Sequence, residues 1–184
     1  MGKPHAPLPV KLFCGLLSAD VDLLRRATQL LVRCFGPVDM VSDVWPFDQT
    51  NYYEAEMGGG LRRQFVAFER LVSPESLPDI KHQTNALEGQ IAEQCLAMGL
   101  TRPVNLDPGY VTPSKLVLAT TKDSGHRVSI GASMYAEVTL RFVDGGWQIQ
   151  PWTYPDYRQA AYHAYFSALR QSLLRRWSAD RNIR

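Results

Sequence analysis

The chain has 184 residues, 45% of them hydrophobic and 21% charged, with a formal net charge of +2. That length favours a single domain over residues 1–184. The composition excludes a disordered chain, and so small a charge gives no argument for nucleic acid by itself. The charge is uneven, however. Residues 1–92 carry 9 basic and 11 acidic side chains, residues 93–184 carry 11 and 7, and the surplus gathers in Arg170, Arg175, Arg176, Arg181 and Arg184.

In chain order, 1–9 reads as an N-terminal extension with three prolines, not a signal peptide, because only a short apolar run follows before a helix pattern. Residues 10–17 read as a buried strand, and Ser18 or Asp20 caps the next helix. Leu23, Ala27, Leu30, Leu31 and Cys34 recur at helical spacing, and Gly36-Pro37 stops that helix. Strands are expected at 38–45 and 51–57, the second placing Tyr52, Glu54 and Glu56 on one face. Gly58-Gly59-Gly60 turns into a strand at 63–72; without a following Lys and Ser/Thr at a helix start it is not a phosphate loop.

Residues 74–98 form a second helix whose buried stripe is Ile80, Thr84, Leu87, Ile91, Cys95 and Met98. Lys81, Asn85 and Glu88 run along the edge of that stripe, either at the solvent boundary or facing a polar site. Strands follow at 102–106, 115–122, 126–130, 135–143 and 147–150, with Asp107-Pro108-Gly109 read as a turn. A last helix buries Tyr162, Phe166, Leu169, Leu173 and Trp177, and 178–184 is expected to fray. The order implies an α+β fold: a largely antiparallel sheet with two helices packed on it and a C-terminal helix, around a ferredoxin-like split βαβ core with added strands.

Three cysteines, Cys14, Cys34 and Cys95, are dispersed within apolar runs. They show no Cys-x-x-Cys and no Cys/His ligand spacing, which argues against zinc and fits packed thiols in a reducing cytoplasm. No apolar run is long enough to cross a bilayer. There is no motif for haem or a dinucleotide, and no serine or cysteine nucleophile pattern.

Polar candidates concentrate between 102 and 141, where Asn105, Asp107, Lys115, Lys122, His126, Arg127, Glu137 and Arg141 interrupt apolar strands. Glu54, Glu56 and Glu137 with Arg127, Arg141 and one of the lysines would make a mixed-charge sheet face. Its basic groups would take phosphate oxygens, and its carboxylates Mg²⁺ or a ribose hydroxyl. The other reading is a solvated face with cross-strand ion pairs. Alternation puts Glu137, Thr139 and Arg141 on one side, and His126 and Arg127 on opposite sides unless a bulge intervenes. Asp107 serves either a turn or as a metal-binding or general-base carboxylate, and His126 and Glu137 are the other catalytic candidates. Asp156 caps the last helix or binds ligand. Trp152, Tyr154 and Tyr157 form a stacking platform or core.

The stretches KLFCGLLS, PFDQTNYYEAEMG, IKHQTNALE, RPVNLDPGYV, KLVLATTK, HRV, YAEVTL and WTYPDYR resemble the bacterial domain-of-unknown-function 4416 family from about Pro9 to Trp177. Its most typical motifs are VNLDPGY at 104–110, YAEVTL at 135–140 and WTYPDYR at 152–158. Asn51 replaces an aspartate of the family pattern, and Gly131-Ala132-Ser133-Met134 varies a glycine-rich link. The resemblance implies bacterial origin and a label of GTP binding, but no mechanism. The sequence carries neither a Walker A pattern nor an Asn-Lys-x-Asp motif.

Three functions follow. The first is binding of a nucleotide or other phosphorylated molecule, with or without catalysis and Mg²⁺. The second is RNA binding through Tyr52, Tyr53, Arg62, Arg63 and the C-terminal arginines. The third is non-catalytic docking of a protein partner on the last helix.

Overall fold

The computed structural model describes residues 2–50, 53–96 and 99–180. The first strand, β1 (Val10–Ser18), is buried at all nine positions and lies inside the sheet. Asp20 caps α1 (Val21–Phe35): its carboxylate accepts the Asp22 N–H at 2.7 Å, the bond an N-cap aspartate supplies to an orphan donor. Gly36, at φ 90°, ends the helix. The expected strand 38–45 is split into β2 (Val38–Val41) and β3 (Trp45–Pro46), which pair in succession with the same neighbour, β4 (Arg62–Val72). After a 3-10 turn, Pro74–Ser76, comes α3 (Leu77–Gln94).

The short helical turn α2 (Glu54–Met57) replaces the strand expected at 51–57. Only Met57 is buried there, against Leu17, Phe47 and Leu61, so one apolar anchor suffices and no strand periodicity is needed. Glu54 and Glu56 are exposed on this turn and share no sheet face. Asn51 and Tyr52 lie outside the described residues, as do Met98, Arg181 and Arg184.

The remaining elements are β5 (Asn105–Val111), β6 (Lys115–Thr120), β7 (Val128–Gly131), β8 (Met134–Val143), β9 (Gly146–Ile149) and α4 (Ala160–Ala179). The sheet order is β2-β4-β1-β5-β6-β8-β7, every pair antiparallel, with β9 beside β8. The segment β2-β4-β1-β5, with crossovers through α1 and α3, has the order of a ferredoxin-like core.

Two faces are buried, and alternation along β1 shows how. Leu12, Cys14 and Leu16 pack with Leu23, Leu24, Ala27 and Leu31 of α1 and with Ile80, Leu87 and Ile91 of α3. Phe13 points the other way, among Phe65, Leu116, Leu118, Leu140 and the α4 residues Tyr162, Tyr165, Phe166 and Leu169. Each such side chain removed from water stabilises the fold by about 1.5–3 kcal/mol. The α4 stripe matches its expected spacing, and Trp177 ends it by donating to the Pro9 carbonyl at 3.0 Å. Cys14 and Cys95 are buried as expected, but Cys34 is exposed, on the solvent side of α1.

Two local readings are overturned. Asp107-Pro108-Gly109 makes no turn; β5 runs straight through it, paired with Gly15, Cys14 and Phe13. The turn comes later, where the Thr112 hydroxyl accepts the Ser114 and Lys115 N–H groups at 3.2 and 3.1 Å. The chain needs Gly109 for a different reason, close approach. A Cβ there would meet the Val117 carbonyl oxygen at 2.4 Å and the Phe13 ring at 2.9 Å. Second, Val138 pairs with Val117 and Leu140 with Leu116, leaving Thr139 as an extra residue in β8. This bulge breaks the alternation. Glu137 and Thr139 stay together, but Arg141 turns to the opposite face.

Candidate functional site

The ladder between β5 and β6 is short. It pairs only Gly109, Tyr110 and Val111 with Leu118, Val117 and Leu116. Earlier in β5, Asn105 to Pro108 hold to β1 alone; later in β6, Ala119 and Thr120 hold to β8 alone. The sheet is therefore open between these strands, and α3 passes behind the opening. Lys81 donates to the Leu106 carbonyl at 2.9 Å, and Glu88 accepts the Leu106 N–H at 2.7 Å. Two side chains of α3 thus satisfy the backbone groups that a neighbouring strand would pair.

The opening leads to a cavity of about 770 Å³. Arg63, Lys81, Arg102, Lys122 and Arg127 line it, together with Glu88, Asp107, Glu137 and Asp156. Asn85, Asn105, Thr120 and Thr121 add neutral polar groups, and Phe47, Tyr53, Tyr154 and Tyr157 add rings.

One charge network centres on Asp107. Lys81 lies 3.5 Å from its Oδ1, and the Arg63 Nη1 lies 3.5 Å from Oδ2. The Asn105 amide donates to the same Oδ2 at 2.5 Å. Arg102 bonds the Asn105 side-chain oxygen and holds Glu88 at 3.0 Å. Arg63 also reaches Asp156, with 3.5 Å between Nη2 and Oδ2, so one guanidinium joins two carboxylates. Gly15 makes room for it: a Cβ at 15 would stand 3.2 Å from Arg63 Nη1.

A second network centres on Glu137. Arg127 Nε donates to Oε2 at 2.9 Å, and the Thr139 hydroxyl donates to Oε1 at 3.0 Å. Arg127 also donates to the Tyr154 hydroxyl at 2.6 Å and the Lys122 carbonyl at 3.0 Å. His126 lies 3.2 Å from Glu137 Oε2 and stacks on Trp152 with ring centroids 5.3 Å apart. His126 and Arg127 reach one carboxylate because they sit in the turn before β7, where strand alternation does not apply.

These surroundings separate the carboxyl groups electrically. Lost hydration raises the pKa of Asp107, but Lys81 and Arg63, helped by Asn105 and Arg102, outweigh it and hold the carboxyl below its ordinary value of 3.8. Asp156 is raised instead, because burial outweighs the attraction of Arg63. Glu88 is raised by burial too, despite Lys81 and Arg102. The stability that Asp107 contributes is present above its unfolded value and lost as pH falls through its folded pKa. Asp156 behaves oppositely: its contribution is full below the unfolded value and lost as pH rises through its folded pKa. Urea denaturation from acid to neutral pH is therefore expected to give opposite slopes. Asp107→Asn costs most at neutral pH, whereas Asp156→Asn costs most in acid; parallel slopes would contradict this assignment.

Of the residues singled out in the sequence, Lys81, Asn85, Asn105, Asp107, Lys122, Arg127, Glu137 and Asp156 meet at this cavity. Asp156 faces Arg63 and does not cap α4, whose N-cap is Gln159. His126 touches Glu137 without lining the cavity. Glu54 borders a separate groove with Asp48 and Arg62, and Lys115 and Arg141 border another with Trp152. The expected joint carboxylate set of Glu54, Glu56 and Glu137 is not assembled, and no group of three or more His, Cys, Asp or Glu among the described residues could hold a metal ion. Arg63 entered only the RNA-binding reading, and Arg102 entered no site reading; the sequence placed neither at this cavity. Alternation along 63–72 would have put Arg63 on the inward face with Phe65 and Ala67, the signal that a buried arginine gives.

Fold and cavity together define an α+β protein whose antiparallel sheet opens onto a charge-lined, partly open site. The chain belongs to the family described as Domain of unknown function (DUF4416), whose model matches residues 8–173. No curated protein and no solved structure matches it. No helix among the described residues is long and apolar enough to cross a membrane.

Proposed function

We propose that the cavity at the β5–β6 opening binds a small phosphorylated molecule, a nucleotide or a sugar phosphate. The supporting observation is the convergence of five basic side chains, from β4, α3 and two loops, on one cavity that holds four carboxylates. Its volume, about 770 Å³, falls in the range of small-molecule sites. Lys122, which is exposed, and the more buried Arg127, both on the loop after β6, offer charge-assisted hydrogen bonds to phosphate oxygens. Docking on the last helix has less support, because Tyr162, Phe166, Leu169 and Leu173 are spent on the sheet.

Thermal unfolding with and without adenosine monophosphate, ribose phosphate and Mg²⁺ tests this reading. A ligand at about 100 times its Kd adds about 2.7 kcal/mol, which raises the Tm of a domain this size by about 5–10 °C. Arg127→Ala is expected to abolish the shift, and Arg141→Ala, on the other face, to preserve it. A Tm that no phosphate ester moves would refute the proposal.

A further inference from the structure

The most buried wall of the cavity holds unmet hydrogen-bonding capacity of both signs. The side chains of Arg63 and Asp156 are only 4% and 5% exposed, and both line the cavity. Arg63 Nε and Nη1, Asp156 Oδ2 and the Tyr157 hydroxyl have no hydrogen-bond partner within the protein. The ion-pair contacts that join them, at 3.5 Å, are too long to serve as good hydrogen bonds. Buried polar groups are nearly always bonded, so an under-bonded set beside a cavity calls for a partner that enters it, water or the polar group of a ligand.

The chemistry of that wall selects among phosphorylated molecules. A phosphate seated there would set one cation, Arg63, against two carboxylates, Asp156 and Asp107, whereas Lys122 and Arg127 set two cations against one, Glu137. An apolar group would satisfy none of the four atoms. Adjacent hydroxyls supply both needs: their protons go to the Asp156 carboxylate, and their lone pairs accept from Arg63 and Tyr157.

We infer that the ligand is a sugar-type phosphate ester whose adjacent hydroxyls are held by Arg63, Asp156 and Tyr157, with its phosphate at Lys122 and Arg127; this rests on the phosphate-ester reading above. The wall sets specificity and the loop cations set attraction.

Isothermal titration of the full chain with inorganic phosphate, adenosine monophosphate and glucose phosphate tests it, the two esters also in forms lacking the adjacent hydroxyls. At least one hydroxylated ester is expected to bind, and its deoxygenated form at least about tenfold more weakly. Asp156→Asn is expected to bring the hydroxylated ester down to the level of the deoxygenated one, leaving inorganic phosphate unaffected. Should that variant fail to fold, the analogue comparison on the unaltered chain decides alone. Equal binding of the paired forms overturns the hydroxyl assignment and leaves the phosphate reading standing. Discrimination that follows the base and not the hydroxyls overturns it likewise. No binding of any ester overturns both.

Discussion

Replacing Arg63 by alanine is expected to cost about 3–5 kcal/mol, the range for removing one partner of a buried charge pair. Arg63 is 3% exposed and is the cation shared by Asp107 and Asp156. Without it Asp156 loses its ion-pair partner while 4% exposed, and Asp107 keeps only Lys81 of its two close cations. Most of the cost comes from the carboxylates left behind, not from the worth of the pairs themselves. Arg63→Lys should recover a minor part, because a single ammonium cannot span two acids. Arg63→Met combined with Asp156→Leu should be more stable than Arg63→Ala, since it removes a stranded charge and fills the space. Urea denaturation of the three variants measures this; a loss below about 1 kcal/mol for Arg63→Ala would mean that water reaches this wall and screens the acids.

Gly109→Ala is expected to cost about 3 kcal/mol or more, at the top of the overpacking range, and to lower Tm by about 6–12 °C. The added methyl would lie 2.4 Å from the Val117 carbonyl oxygen and 2.9 Å from both Leu118 Cδ2 and Phe13 Cζ. Phe13 is packed tilted against Phe166, centroids 5.2 Å apart, and has little room to move. Relief must come from backbone, and the backbone in question is the short β5–β6 ladder, paired through Gly109 with Leu118. Losing that pair leaves two. Gly89→Ala makes a matched control, because nothing lies within 4 Å of a Cβ there and a helix interior favours alanine. Equal Tm values for the two variants would show that the strands separate freely at Gly109.

Much of this was legible in the sequence, for reasons that differ by element. Helices α1 and α3 follow from spacing, and the polar edge of α3 at Lys81, Asn85 and Glu88 was visible because a charge beside an apolar stripe must leave the core or be paired. The crossover order followed from strand and helix alternation. Asp-Pro-Gly misled because turn chemistry is local, while pairing with β1 on one side and a close approach on the other are not. Arg141 misled because one extra residue in β8 inverts everything after it, and nothing in YAEVTLR announces the bulge. Glu54 and Glu56 alternate like strand residues, yet α2 is a single helical turn anchored by Met57. The cavity itself was beyond reach of sequence reasoning, since it depends on a ladder that stops.

That stopped ladder divides the sheet mechanically. On one side stands the β2-β4-β1-β5 half, on the other β6 with β8, β7 and β9, and three residue pairs are the hydrogen-bonded seam between them. The second strap is α4, which packs Phe13 and Phe65 of one half with Leu116 and Leu140 of the other. Its Arg170 grips the Pro113 carbonyl at 2.6 Å and covers the Phe142 ring at 3.8 Å. Helix α3 spans both halves as well, with Leu77 against Val117, Ala119 and Ala136, and the cavity lies between the halves, with Arg63 and Asp107 on one side and Lys122 and Glu137 on the other. A molecule seated there would touch both halves at once and act as a rivet. It is expected to slow amide exchange along β7 and β9, strands it does not touch, by holding the half that carries them to the other; hydrogen exchange with and without a phosphate ester measures this.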